Sequence, residues 1–340
     1  MTIRSIDSGT EWAALLGADG DGDVYSRWEF LEAWAREERA TPRGLVFEHE
    51  DGRVVYPVLE LLLDALEGGT GRRDFRTPYD FGGPLVDGPR PDSALARFET
   101  ELRNFAAELG VVTEFARLHP LRPSAVPTDA TLHADNFLID LRLGDRELTT
   151  AQHPSHRRAV RAARKHELDF AFVAMPDPRT CEAWIALYGE SMRRVGAPES
   201  YLFSDRLFRE LVGLRGVRLA SVTAGGGEIL AAALTLDSGD DLFYYLGAST
   251  ESGRAKRANN LLFDRLVAAG RTERRRYFHL GGGSPSLRRF KGQIATGTIP
   301  YYVLRRIHDP AGYQRLRASD PGDSGEFPAY LSRLQRKGAG

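Results

Sequence analysis

The chain reads as an α+β protein of two domains built on one plan. Three observations lead there. At 340 residues it is longer than one ordinary hydrophobic core serves, so two cores are expected. A helical pattern, a series of short strands joined by tight turns, a crossing helix and a further strand occur in that order, and the order occurs twice. The composition, 42% hydrophobic and 27% charged, permits a packed core in each half.

The first half opens with a helix over Trp28–Glu38, with Ser26 placed to cap it. Strands follow at Gly44–Glu48 and Arg53–Leu63, joined by the turn Glu50-Asp51-Gly52. A Gly/Pro-rich loop covers Thr77–Asp92. A helix over Ser93–Leu109 crosses to a strand at Thr113–Leu118, and Asn136–Leu141 forms another strand. The second half begins with a basic helix, Pro154–His166, then a strand at Asp169–Val173 and helices at Pro178–Arg194 and Asp205–Leu214. Strands Val217–Ala224, Glu228–Leu236 and Asp241–Gly247 form a meander, broken at Gly225-Gly226-Gly227 and Gly239-Asp240. A helix over Asn259–Gly270 crosses to Tyr277–Leu280, and a last strand lies near Ile299–Arg305. Asn259 and Asn260 are placed to cap that helix. Domain 1 is expected over 1–148, completed by 306–340, and domain 2 over 149–305. Heptad runs are missing, so no coiled-coil arm is expected. A short helix is expected at Tyr330–Arg336.

Several classes are excluded. One cysteine, Cys181, allows neither an internal disulfide nor a cysteine-rich metal site. The most apolar run, Val58 to Leu66, is interrupted by Glu60 and Asp64 and is too short to span a bilayer. The first residues, MTIRSIDSGTEW, carry no signal-peptide stretch. A soluble, cytoplasmic, monomeric protein without membrane partners is expected. His153, His156 and His166 fit no zinc spacing, and neither a metal site nor a cofactor is expected.

Charge is concentrated. The formal net charge is −1. Yet Arg157, Arg158, Arg161, Arg164 and Lys165 crowd ten residues, and 254–291 hold eleven basic residues against Asp264 and Glu273. Two such segments can track a polyanion, or be solvated basic helices. Only four of the 46 basic residues are lysines: Lys165, Lys256, Lys291 and Lys337. Lys291 stands in HLGGGSPSLRRFKG (279–292), after a strand end and a glycine turn. A compact ammonium suits a developing oxyanion better than a planar fork does. No helix pattern opens clearly after Gly281-Gly282-Gly283, so a tight turn is expected there rather than a phosphate loop.

The element order is that of a GNAT-type acyltransferase domain, and five motifs in series extend the likeness. They are TPYDFGGPLV (77–86), TEFARLHPL (113–121), HRRAVRAARKHEL (156–168), YGESMRRVGAPESYLFSDRLFREL (188–211), and ANNLLFDRLVAAGRTERRRYFHLGGG (258–283) with Phe290-Lys291. With them the chain resembles the Fem family, peptidyltransferases that move an amino acid from aminoacyl-tRNA to an amine. The resemblance implies two tandem GNAT-like domains with a cleft between them and the C-terminal segment returning to the first. It implies aminoacyl-tRNA as donor and a small amine as acceptor. It gives Phe290 and Lys291 the catalytic place. Arg157, Arg161, Arg164, Lys165, Lys256, Arg257 and Arg289 would follow the tRNA. The acceptor would be held near Tyr201, Arg206, Tyr244 and Tyr245, and by Arg27, where the family often has lysine.

Amide synthesis from an ester needs an aligned neutral amine and a stabilised oxyanion. Lys291 supplies positive charge, and Phe290 a ring for the terminal base. Tyr79 and Asp80 lie in the Gly/Pro loop; Asp80 either pairs with the acceptor amine or serves an Asx-type turn. His119 and His279, at strand ends, are either general bases or structural histidines. The rival donor is acyl-CoA. Its pyrophosphate needs a glycine-rich cradle at the crossing helix, but Arg257 and Asn259 fill the glycine positions of Arg254-Ala255-Lys256-Arg257-Ala258-Asn259.

Overall fold

The computed structural model describes residues 2–17, 23–122, 126–318 and 327–331. The expected helix at Tyr330–Arg336 lies outside the described residues beyond Leu331. Residues 2–17, 25–122, 126–133, 300–318 and 327–331 gather into one compact unit, and 23–24 with 134–299 into a second.

The chain enters the first unit through β1 (Arg4–Ile6) and α1 (Gly9–Leu16). Next comes α2 (Trp28–Glu38), with the expected bounds. Its N-cap is Arg27 and not Ser26. Ser26 instead closes a 3₁₀ turn, where its carbonyl accepts the Trp12 indole N–H at 2.8 Å. Then follow β2 (Thr41–His49), β3 (Gly52–Leu62), β4 (Arg73–Arg76), β5 (Leu85–Asp87), α3 (Pro91–Leu109) and β6 (Val111–Arg117). The loop expected at Thr77–Asp92 therefore contains a strand, β5, which pairs with β3. Along α3, Leu95, Phe98, Leu102 and Ala106 recur at helical spacing and bury against Phe47, Tyr56 and Phe75.

The second unit takes β7 (Thr131–Asp140), α4 (Asp145–Ala151), α5 (Pro154–Ala163), β8 (Asp169–Ala174), α6 (Pro178–Arg194) and α7 (Asp205–Val212). The basic helix ends in a 3₁₀ turn at Arg164–His166. The meander β9 (Val217–Thr223), β10 (Ile229–Ser238) and β11 (Asp241–Ser249) follows. After it come α8 (Glu251–Ala255), α9 (Ala258–Thr272), β12 (Tyr277–Gly281) and α10 (Pro285–Gly292). A helix does open after the glycine triple: Pro285 in its first turn supplies a preset φ and needs no hydrogen-bond acceptor. The chain then returns through β13 (Gly297–Ile307) to α11 (Pro310–Ala318).

Strand pairing is the same in both units. β1, β2, β3 and β4 pair antiparallel in series, β4 pairs parallel with β6, and β13 runs antiparallel to β6. β8, β9, β10 and β11 pair antiparallel in series, β11 pairs parallel with β12, and β7 runs antiparallel to β12. The parallel step is where a helix must cross, by α3 in one unit and α9 in the other. The closing strands are exchanged along the chain. β7 follows β6 in sequence yet pairs with β12, and β13 follows β12 yet pairs with β6.

One buried cation fixes the returning strand. Arg306 on β13 is 9% exposed. It donates to Asp129 at 2.6 Å, lies 3.5 Å from Glu114, and pairs with Glu99. His308 reaches the same Glu114 carboxylate at 3.0 Å. Burial alone would push the Glu114 carboxyl up, but the His308 hydrogen bond and the Arg306 charge bring it below its ordinary value. Removing the arginine leaves carboxylates buried without a counter-charge. Arg306→Met is expected to cost about 3–5 kcal/mol in urea unfolding. Adding Glu99→Gln and Glu114→Gln should recover much of that. A loss under 1 kcal/mol for the single variant would show that the cluster does not hold β13.

Candidate functional site

In the second unit the site grows from an irregularity in β11. Leu234 of β10 faces Leu246, but Thr235 faces Tyr244, so β11 carries one extra residue there, a bulge. The Tyr244 ring packs on Phe263 of α9 at 4.9 Å, and Phe263 meets Phe290 of α10 edge-on at 5.6 Å. One turn of α10 places Lys291 beside this aromatic row. Lys291 is not an exposed loop lysine: it is 7% exposed. Its ammonium donates to the Gly282 carbonyl at 2.7 Å and lies 5.3 Å from the Tyr244 ring centre. Carbonyl and ring face are both electron-rich partners for an ammonium.

Phenols complete the surroundings. Burial pushes Tyr244 up to about 12. Tyr188 of α6 is raised by burial, then by Tyr244 and Tyr201, so the three hydroxyls share one neighbourhood. Tyr188 and Tyr244 are therefore neutral at physiological pH and can donate or accept. Sequence reasoning missed Tyr188 and Phe263, although both lie inside motifs it quoted. Tyr245 is buried, and Arg206 is exposed on α7, 3.8 Å from Glu210.

The basic helix packs beside α9. Asn260 meets the buried His156 ring at 3.0 Å, and Arg164 pairs with Asp264 at 2.8 Å. Arg157 turns inward, donating to the Thr149 and Gln152 carbonyls. Both bonds use Nη1, one of the guanidinium's three nitrogens. Arg161, Lys165, Arg257 and Arg289 are exposed, and Lys256 is half-buried. The asparagines do not cap α9. Arg257, at φ 61°, is the N-cap, Asn259 donates to Ser249 at 3.0 Å, and Asn260 is occupied by His156.

The approach to α9 is a closed turn of helix. Gly253 N–H donates to Thr250 Oγ1 at 2.8 Å, and the N–H groups of Arg254, Lys256 and Arg257 donate to carbonyls within 250–254. Those four N–H groups are not available to an anion.

The first unit holds a separate cluster. Tyr25 donates to Asp80 at 2.8 Å, and Asp80 occupies the left-handed region at φ 80°. Non-glycine residues there tend to be held by a specific contact. Tyr79 stacks on Trp34 at 5.4 Å. Phe81 and Tyr25 both set ring edges against His119, at 6.1 and 5.4 Å. Burial lowers His119 to about 3, and its Nδ1 accepts the Leu121 N–H at 3.3 Å. It is a neutral, structural ring and a poor proton acceptor. His279 is likewise buried, 4.6 Å from Phe243. Arg27, at the head of α2, is half-buried in this unit. Among the described residues, His49, Glu50 and Asp51 alone stand close enough to share a metal ion. Arg90 and Arg97 already neutralise Asp51.

This geometry defines the class. Residues 152–292 match the acetyltransferase (GNAT) domain family, which spans the meander, the crossing helix and the Lys291 turn. Over both units the chain has the Fem-type tandem GNAT fold. The crystal structure of FemX superposes with a TM-score of 0.61 at 13% identity, covering 88% of this chain and 97% of that one. A conserved protein of unknown function from Bacteroides thetaiotaomicron gives 0.57 at 12% identity, covering 90% and 100%. L-PGS from Bacillus licheniformis gives 0.51 at 12%, covering 85% and 94%. At such identities the likeness is one of fold. No curated protein matches the chain in sequence. Among the described residues no helix is long and apolar enough to cross a membrane.

The histidine gives a pH prediction. Its folded value lies below its unfolded one, so its stabilising effect is present above about pH 6.5 and is lost as pH falls towards 3. Across that window the unfolding free energy should fall by up to about 1.4 kcal/mol per pH unit on its account. His119→Gln should flatten the acid limb of urea midpoints measured against pH. Parallel limbs for variant and wild type would contradict the assignment.

Proposed function

We propose that the protein is a Fem-like aminoacyltransferase. It moves an amino acid from aminoacyl-tRNA to the amine of a small-molecule or peptide acceptor. The observation that carries this reading is the spent backbone of residues 250–257. A CoA pyrophosphate needs free N–H groups on the approach to the crossing helix, and here those of Gly253, Arg254, Lys256 and Arg257 close their own turn. An RNA donor needs instead exposed basic side chains that follow phosphates, which Arg161, Lys165 and Arg257 offer.

In the proposed reaction the neutral acceptor amine attacks the ester carbonyl carbon. The carbonyl oxygen gathers negative charge, and the Lys291 ammonium supplies the compensating positive charge. Collapse breaks the ester C–O bond, forms the amide, and passes the amine's proton to the departing ribose oxygen. Tyr244 keeps its proton, so it can hold a ligand but not deprotonate one. Phe290 leans on Phe263, which gives its ring a fixed setting for a stacked base. Tyr201 and Arg206 in the second unit, and Arg27, Tyr79 and Asp80 in the first, are the acceptor contacts of this reading. A GNAT-type N-acyltransferase using acyl-CoA is the second reading, favoured by the acetyltransferase match over 152–292.

Two outcomes follow. In single-turnover transfer from pre-charged tRNA to a panel of amines, Lys291→Ala should lower the rate on the order of 10²–10³-fold, with acceptor affinity little changed. Lys291→Arg should recover only part of the loss. A folded Lys291→Ala protein that transfers at the wild-type rate would sink the mechanism, and turnover with acetyl-CoA but not with tRNA would favour the second reading. Donor affinity should also fall with salt, by a slope of roughly 0.7–0.9 per phosphate contact. Reversing charge at Arg161 and Lys165 should flatten that slope. An affinity unchanged between low and physiological salt would refute an RNA donor held by these residues.

A further inference from the structure

We infer that Gly247 is a positioning residue: the space left by its missing side chain seats the Tyr244 hydroxyl, and the seated ring sets the place of the Lys291 ammonium. The inference rests on the reading of Lys291 as the cation of the transfer site and adds a residue to it.

The argument begins with a glycine that has no conformational reason to be there. Gly247 lies inside β11, where glycine weakens a strand. It is not among the glycines with positive φ, so its backbone is one that any residue adopts. Space supplies the reason. A Cβ at this position would overlap the Tyr244 hydroxyl outright and lie 2.5 Å from its Cζ and 3.0 Å from its Cε2. The neighbour in the way is a side chain of the same strand, three residues back.

In a regular strand, residues three apart face opposite sides of the sheet. Here the bulge changes the count. Tyr244 faces Thr235 and Gly247 faces Ala233, which are two apart on β10. The extra residue therefore brings Tyr244 and Gly247 to one face, and the ring can lie back along its own strand over the glycine. Laid down this way, it packs on Phe263 at 4.9 Å and has its centre 5.3 Å from Lys291 Nζ. The Gly282 carbonyl, 2.7 Å away, fixes a second direction. Moving the ring off Gly247 would change the aromatic side of the ammonium's seat and leave the carbonyl side in place. Gly247 touches no reacting atom in this arrangement, so its effect passes through Tyr244.

The test uses the scarcity of lysine. With four lysines in the chain, selective ¹³Cε-lysine labelling gives a spectrum of few signals, and the one missing from Lys291→Arg belongs to Lys291. In the wild type the Tyr244 ring current should set that signal apart. Tyr244→Phe keeps the ring and should keep the displacement. Tyr244→Leu and Gly247→Ala should both return the signal towards the other lysines. In transfer assays Gly247→Ala should lower kcat, up to the order of 10²-fold for a misplacement near 1 Å, with KM little changed. An unmoved Lys291 signal in Gly247→Ala, or in Tyr244→Leu, would overturn the inference. Should Gly247→Ala fail to fold, Gly247→Ala/Tyr244→Leu decides: folding of the double variant supports the seat, and its failure means the glycine serves something else. The spectra need no substrate, so they report on the seat whether or not tRNA-dependent transfer is found.

Discussion

The buried guanidinium of Arg306 is the interaction on which the first unit's closure depends. β13 arrives from the far end of the second unit's sequence, and backbone bonds alone do not fix which residue of β6 each of its residues faces. Its antiparallel register, Val303 opposite Arg117 through Ile307 opposite Thr113, could slip by one residue at little backbone cost. A slip would turn Arg306 out and leave Glu99 and Glu114 buried without a counter-charge. The desolvated cluster thus acts as a register lock, which is the best-attested use of buried charge. The second unit closes differently. β7 is held to β12 by pairing from Tyr277 to Gly281, and Thr296 adds its hydroxyl to the Asp140 N–H and its own N–H to the Leu138 carbonyl.

The same wiring carries different chemistry in the two units. In the second, the strand before the crossing helix is bulged at its tyrosines and the strand after it ends in three glycines. Those two irregularities bring the Lys291 ammonium, the Tyr244 phenol and an aromatic row together. In the first, the corresponding region is Tyr79 to Gly83, where Asp80 is held by Tyr25 and a neutral His119 is wrapped in rings. A duplicated frame has been furnished once with a cation and once with a carboxylate among aromatics.

Much of the fold was legible in the sequence. The helices Trp28–Glu38 and Pro178–Arg194 show long, clean periodicity, and the structure gives them the same bounds. The short elements were not legible. β1 and β5 have three residues each and β4 has four, too few for a period, and each exists because a neighbouring strand accepts its hydrogen bonds. α10 was hidden behind its glycines and serines, although Pro285 at its start was a usable signal. At the site, Lys291 and Tyr244 were each visible as unusual residues. Their partnership was not, because it depends on a bulge that no local pattern marks. The carbonyl contacts of Arg157 were hidden for a related reason: charge shows in a sequence, but the direction of a guanidinium does not.

The central claim is that the donor is an RNA-borne ester and not a CoA thioester. It is tested most directly by equilibrium binding of the wild-type protein to a stable 3′-aminoacylamide RNA minihelix and, separately, to acetyl-CoA. The account predicts saturable binding of the aminoacylated RNA, weakened by salt and by loss of the 3′-aminoacyl group, with no saturation by acetyl-CoA. Tight binding of acetyl-CoA, with the RNA bound no better than an uncharged control, would contradict it.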